Sequence, residues 1–402
     1  MLTIEDLPLE GKVVFLRVDM NTPLDPANSK LMELNRIQEA SVSIRDLSKC
    51  RVVVGSHQGR VGRDDYIGME QHAEALTNIL GKKIRFADDI FGPTAVKEID
   101  SLSTGDVLLL DNLRFTAEEN MEFAPAAASK TILVQKLVKH FDACVLDAFP
   151  TAHRAHPSIV GFSYLLPTCA GRLVSKELKA LNRIMTVSKA PFTTVLGGAK
   201  VSDRLEAIDT LIANKRADKV LLCGLIANVF LKGARKIEYD IGIDKEDKMV
   251  ERATFLMADY PDTFQLPVDV AVDRSNERVE ILVEELRPGD RVYDIGSKTI
   301  DHYSRIIRSS GTIFMSGPPG LFEDPRFGLG TESLLRAMAS SFGTTIVSGG
   351  HLSAALQRFG IKEWIDHVST AGGALVLFLG GKRLPLIEAL EAYEKKVRTT
   401  GK

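Results

Sequence analysis

The sequence contains no run of about 18 uncharged apolar residues, so no membrane-spanning helix is expected. Cysteine is scarce. Cys50, Cys144, Cys169 and Cys223 stand far apart, and no two have CxxC spacing. That pattern disfavours a zinc site or a dithiol motif. Each cysteine has apolar neighbours and reads as a small buried hydrophobe in a reducing compartment. A basic surplus is also missing. With a formal net charge of -2, broad binding to nucleic acid or to an anionic membrane is not expected. The first six residues hold two acids, Glu5 and Asp6, and no basic segment. A secretory leader is therefore not expected, and the cytoplasm is the default compartment. GxxxxGK[ST] is absent, as is GxGxxG in the first strand–helix turn. These absences disfavour a P-loop site and a dinucleotide-binding oxidoreductase.

What is present suits a globular α/β chain. Its 402 residues exceed what one hydrophobic core usually supports, so two domains are expected. Short runs rich in Val, Ile, Leu and Phe recur at 13–18, 52–54, 84–86, 107–110 and 145–146. A second series lies at 193–196, 220–223, 268–272, 292–295, 312–315 and 344–347. Such runs suit strands buried on both faces. Helical patterns at 70–80, 131–140 and 331–340 alternate with them, which predicts doubly wound, Rossmann-like parallel sheets with right-handed crossovers. Residues 171–185 carry Leu and Val at helical spacing between Pro167 and Pro191 and read as a connector. The expected division is an N-terminal domain over 1–168, a hinge helix over 169–186 and a C-terminal domain over 187–384. A last segment, 385–402, is expected to pack back on the first domain.

Ligands of open α/β sheets bind at the carboxyl ends of the strands. In the first series those ends carry Asp19 and Asn21, then His57, Gln58, Gly59 and Arg60, then Arg114, then His153, Arg154 and His156. Arg36 follows the first strand by a loop. A guanidinium is always charged, and its planar fork matches phosphate or carboxylate oxygens two at a time. Any one arginine could be a weak surface ion pair. Four at strand ends suit a compact polyanion better. The histidines could be donors or loop buttresses, and Asp19 and Asn21 could bind a hydroxyl or shape the turn before Pro23.

The second series ends in glycine instead: Gly197-Gly198 before Lys200 and Arg204, Gly296, Gly317 and Gly320 before Glu323, Gly349-Gly350 before His351 and Leu352, and Gly372-Gly373. Glycine lets a backbone approach a phosphate, and a helix N-terminus presents free N–H groups. A single glycine pair could equally be a plain turn.

Together these segments resemble the phosphoglycerate kinase family, in family order and over nearly the whole chain. The carriers are Arg17 to Pro23, Ser56 to Arg60, Asn112 to Phe115, Asp147 to His156, Gly197 to Asp203, Gly317 to Glu323 and His367 to Ala374. Ser316-Gly317 and Gly350 to Ser353 look like the archaeal branch. The resemblance implies 3-phosphoglycerate or 1,3-bisphosphoglycerate on Asp19, Asn21, Arg36, His57, Gln58, Gly59, Arg60, Arg114 and Arg154. It implies ATP or ADP, with Mg²⁺ held mainly by the phosphates, on Lys200, Arg204, Gly296, Glu323, Gly349, Gly350, His351 and Leu352. Arg36, Lys200, Gly372 and Gly373 would flank the migrating phosphoryl group during direct in-line transfer on domain closure. Partners would be these small molecules, without nucleic acid or membrane, in a monomer or small homo-oligomer.

Several positions depart from the family pattern. Arg204 replaces a lysine, and His351 replaces the aspartate that meets Mg²⁺, so no protein metal ligand is expected. Ala371 and Pro150 each replace a glycine. Two other readings stay open: a non-catalytic nucleotide- or anion-binding protein on this scaffold, and a different acyl-phosphate kinase.

Overall fold

The structure is a computed structural model describing residues 1–187, 189–214, 216–237, 241–369 and 371–400. It forms two compact units: Met1–Lys179 with the segment from Arg383 onward, and Ala180–Lys382. The boundary falls inside the helix Arg172–Val187, the expected connector. Among the described residues no helix is long and apolar enough to cross a membrane.

The first unit is built on six strands: β1 (Val13–Val18), β2 (Arg51–Gly55), β3 (Arg85–Ala87), β4 (Val107–Leu110), β5 (Ala143–Asp147) and β6 (Thr168–Ala170). All pair in parallel, in the order β3-β4-β2-β1-β5-β6. Every residue of β1 is buried, as expected for a strand covered on both faces. Val14, Leu16, Val52, Val54 and Val145 join one core cluster with Ile37 and Ile44 of the helix Asn35–Asp46. Fully burying each such side chain contributes about 1.5–3 kcal/mol. The helix Glu70–Leu80 has the expected bounds and stops at Gly81, whose φ of 65° gives the left-handed cap. The chain runs outward from β1 on one side and returns at β5 on the other, so the topological switch point lies between β1 and β5.

The second unit holds β7 (Phe192–Leu196), β8 (Lys219–Leu222), β9 (Phe264–Gln265), β10 (Asp269–Arg274), β11 (Glu277–Leu282), β12 (Val292–Ile295), β13 (Thr312–Ser316), β14 (Thr344–Ser348) and β15 (His367–Ser369). Six of them form a parallel sheet in the order β15-β14-β13-β7-β8-β9. Its switch point lies between β7 and β13. One expectation is corrected: the runs at 268–272 and 292–295 are not in the parallel sheet. They form β10 and β12 of a separate antiparallel sheet, β11-β10-β12. A two-residue loop, Ser275-Asn276, reverses the chain between β10 and β11 with φ of 56° and 66°. Two positive φ values give a hairpin the twist its strands need.

The C-terminal helix Pro385–Thr400 belongs to the first unit. Leu386 N–H donates to Ala152 O at 3.1 Å, and the N-terminal ammonium of Met1 pairs with Glu394 at 2.8 Å.

Candidate active site

The loops after β1 and β2 are sewn together by side-chain amides. Asn21 Oδ1 accepts from Gly59 N at 2.9 Å. Gln58 Oε1 accepts from Thr22 N at 2.9 Å, and Gln58 Nε2 donates to Thr22 O at 2.8 Å. Gly59 has φ of 68°, and a Cβ there would lie 2.2 Å from Asp65 O, so only glycine fits. Gln58, expected to contact the substrate, is fully buried in this structure and holds the loops.

On this framework Asp19 lies buried at the end of β1. Its Oδ1 accepts from Arg36 Nη1 and from Asn21 N, each at 3.0 Å. Burial alone would raise its carboxyl, but the Arg36 guanidinium, helped by the Asn21 amide, outweighs it and holds the group at about 2. Arg114 donates from Nη1 to Gly59 O at 2.6 Å. Burial, with Arg17 and Arg60 nearby, lowers its guanidinium to about 10, still charged at neutral pH. Arg60 is exposed, and Arg154 pairs with Glu122 at 3.1 Å while remaining partly open to solvent. Arg36, Arg60, Arg114 and Arg154 thus all belong to the β1–β2–β4–β5 edge.

Two charged residues beneath this edge had no role in the sequence reading, although Arg17 opens one of the family motifs. Arg17 and Glu119 are both wholly buried, with 3.5 Å between Arg17 Nη2 and Glu119 Oε1. Ser158 bridges them: Arg17 Nε donates to Ser158 Oγ at 2.7 Å, and Ser158 N donates to Glu119 Oε2 at 3.1 Å. Arg17 Nη2 also lies 3.4 Å from His57 Nδ1. An arginine inside an otherwise apolar strand was a second signal for Arg17.

Burial, reinforced by arginines, holds His57 neutral well below its usual range and brings His156 to about 3. His72, buried with Nε2 3.2 Å from Gln58 Oε1, is lowered to about 4 by burial. The unfolded chain therefore takes up protons below pH 6.5 that the folded chain refuses. The stability these histidines contribute is complete above that pH and is lost as pH falls. For His72 alone the loss approaches about 3 kcal/mol by pH 4. We expect His72→Gln to flatten the stability–pH curve by about 1 kcal/mol per pH unit on average between pH 6.5 and 4. Urea unfolding at pH 6.5 and 5 checks this; an unchanged slope contradicts it.

In the second unit, Lys200 stands exposed just before the helix Val201–Ala213. Gly349, with φ of 105°, precedes the helix Gly350–Arg358, and Gly372 precedes the helix Gly373–Leu379. A Cβ built on Gly349, Gly350 or Gly372 meets nothing within 4 Å, so these turns are open. His351 and Glu323 are exposed. Leu352 is fully buried in the core, so its side chain is no ligand contact. Thr370 lies outside the described residues.

Gly296 differs from the other glycines. A Cβ there would lie 2.4 Å from Asp269 Oδ2. The helix it precedes, Ser297–Ser309, has its first amides already filled. Ser297 N donates to Glu280 and Lys298 N to Asp269, each at 2.9 Å, and Thr299 N donates to Asp269 at 2.7 Å. Gly296 therefore offers a surface rather than a phosphate cradle. Arg204 is also displaced from its expected place: it is buried, with Nε on Gly197 O at 3.1 Å and Nη1 on Ser316 Oγ at 2.9 Å.

Among the described residues, no three or more His, Cys, Asp or Glu side chains cluster as a metal site.

Two parallel-sheet units, one edged with guanidinium groups and the other with open glycine turns and a lysine, define the class: an α/β phosphotransferase. Residues 4–382 match the model of the phosphoglycerate kinase family. The phosphoglycerate kinase of Methanobacterium bryantii is 40% identical over 403 residues, covering 98% of each chain. That of Methanothermus fervidus is 38% identical over 404 residues, again covering 98% of each. The crystal structure of phosphoglycerate kinase from Pyrococcus horikoshii OT3 superposes with a TM-score of 0.87 at 37% identity, covering 98% of this chain and 100% of that one. The structure of the Coxiella burnetii kinase gives 0.73 at 31% identity, covering 97% and 99%. The chain belongs to the phosphoglycerate kinase family. Its reaction is the reversible phosphoryl transfer of glycolysis between 1,3-bisphosphoglycerate and ADP, giving 3-phosphoglycerate and ATP.

Proposed function

We propose that the guanidinium edge of the first unit binds the phosphoglycerate and that the glycine edge of the second binds the nucleotide. The observation that carries this is the Asp19–Arg36–Arg114 group at the β1 switch point, fixed charge on a buried framework. Arg60, Arg114 and Arg154 hold the substrate's phosphate and carboxylate oxygens. Asp19, ionised across the working pH range, accepts from the substrate hydroxyl and orients Arg36, with Asn21, His57 and Gly59 shaping the loop.

On the second unit, MgATP or MgADP lies along the turns at Gly197-Gly198, Gly349-Gly350 and Gly372-Gly373. Lys200 meets the phosphates, Glu323 the ribose, and Gly296 the flat base. His351 meets the phosphates as a hydrogen-bond donor, because an imidazole is a poor partner for Mg²⁺. The ion enters with the nucleotide.

The acceptor carboxylate is already ionised, so no general base is needed. One oxygen of 3-phosphoglycerate forms a bond to the γ-phosphorus as the bond to ADP breaks. The protein's part is alignment, charge neutralisation and exclusion of water as the units close. Arg36 and Lys200 neutralise the migrating group, assisted by the Gly372 and Gly373 amides.

A coupled assay with 3-phosphoglycerate and MgATP tests this reading, with acetate and carbamate as rival acceptors. Turnover with 3-phosphoglycerate alone is expected. Binding of ATP without turnover would favour a non-catalytic protein, and turnover with acetate or carbamate a different acyl-phosphate kinase.

A further inference from the structure

Arg204 lies in the first turn of the helix Val201–Ala213 and is 8% exposed. Its guanidinium holds two neutral acceptors from different loops, Gly197 O after β7 and Ser316 Oγ at the end of β13. Ser316 Oγ is in turn 3.1 Å from Ser348 Oγ, at the end of β14. Arg204 thus ties the carboxyl ends of β7 and β13 across the switch point of the sheet, and Ser316 carries the tie on to β14. The loops also clasp each other there: Gly197 N donates to Ser316 O at 3.0 Å and Gly198 N to Pro318 O at 2.8 Å. Gly317, with φ of 82°, packs so closely that a Cβ would stand 2.2 Å from Gly197 O and 3.0 Å from Arg204 Nη2.

We propose that Arg204 is a positioning residue: it fixes the Gly197–Gly198 and Ser316–Gly317 loops in one register, so that the nucleotide phosphates meet preset backbone amides, and does not itself grip a phosphate. This rests on the nucleotide reading above. A lysine cannot do the same work. Its ammonium is a single point, whereas Gly197 O and Ser316 Oγ are served by two different nitrogens of a rigid fork. No carboxylate pairs with Arg204 among the described residues, so its charge also lies beneath the loops as a fixed positive field.

The test is a double-mutant cycle on the full chain. Arg204→Lys, Ser316→Ala and the double variant are compared for nucleotide affinity by calorimetry with MgADP and for kcat and KM in turnover, with thermal unfolding to show that each is folded. Each single change is expected to raise KM for ATP about 5- to 10-fold, with kcat within about threefold and 3-phosphoglycerate affinity unaltered. The double variant is expected within about twofold of Arg204→Lys, because both changes cut one tie. A double variant that loses the product of the two single effects overturns the inference, as does an Arg204→Lys enzyme indistinguishable from the parent. Failure of the unaltered chain to bind MgADP at all overturns the nucleotide reading itself, an outcome separate from additivity.

Discussion

Replacing Arg36 by alanine is expected to lower kcat about 100- to 1000-fold, a loss of about 2–4 kcal/mol in transition-state stabilisation. Arg36 is the second residue of the helix Asn35–Asp46, and its side chain is 26% exposed. Its one ion-pair partner among the described residues is Asp19, at 3.0 Å. Asp19 remains ionised down to about pH 2, so Arg36 stays oriented throughout the working range. A charge pre-placed in this way costs no reorganisation when negative charge spreads over the transferring phosphoryl group. KM for 3-phosphoglycerate should change much less than kcat, because Arg60, Arg114 and Arg154 remain to bind the ground state. Arg36→Lys should recover only part of the loss, since the planar fork is gone. Steady-state kinetics check this; near-normal turnover in Arg36→Ala contradicts the assigned role.

Removing Glu119 should produce the largest loss of stability. Glu119 is buried beside Arg17 and accepts from Ser158 N, and Ser158 Oγ also donates to it. Burial raises its carboxyl, and Arg17 is the leading influence in the opposite direction. Glu119→Ala would leave the fully buried Arg17 guanidinium without its carboxylate, which typically costs about 3–5 kcal/mol. Chemical denaturation at pH 7 measures it. A loss below about 1 kcal/mol would mean that water or a backbone carbonyl takes over the charge.

Much of this was legible in the residues, for reasons that also explain the gaps. Parallel strands covered on both faces announce themselves as apolar runs, as β13 does at Ile313 to Met315 and as β1 does apart from Arg17. The same signature misled at 268–272 and 292–295, because a buried strand within a small antiparallel sheet is just as apolar. Its partner β11 alternates only in part, with Val279 between Arg278 and Glu280 and Ile281 between Glu280 and Leu282, and the Ser275-Asn276 loop is a hairpin signal weaker than Asn-Gly. The places of Arg36, Arg60, Arg114 and Arg154 were legible because each follows a strand or lies a loop beyond it. What lies beneath was not. Arg17 and Glu119 are 102 positions apart, and only the fold brings them together. Gln58 and Arg204 belong to the motifs yet point inward, because loops that present their backbone to a ligand must be held from behind by side chains.

The division of labour between the two edges is the central claim, and calorimetry on the full chain tests it most directly. In the Arg60→Ala, Arg154→Ala double variant, 3-phosphoglycerate affinity should fall at least tenfold while MgADP affinity stays within about twofold, each lost charged contact being worth about 1.5–3 kcal/mol at most. Equal losses for both ligands, or a loss confined to MgADP, would contradict the account.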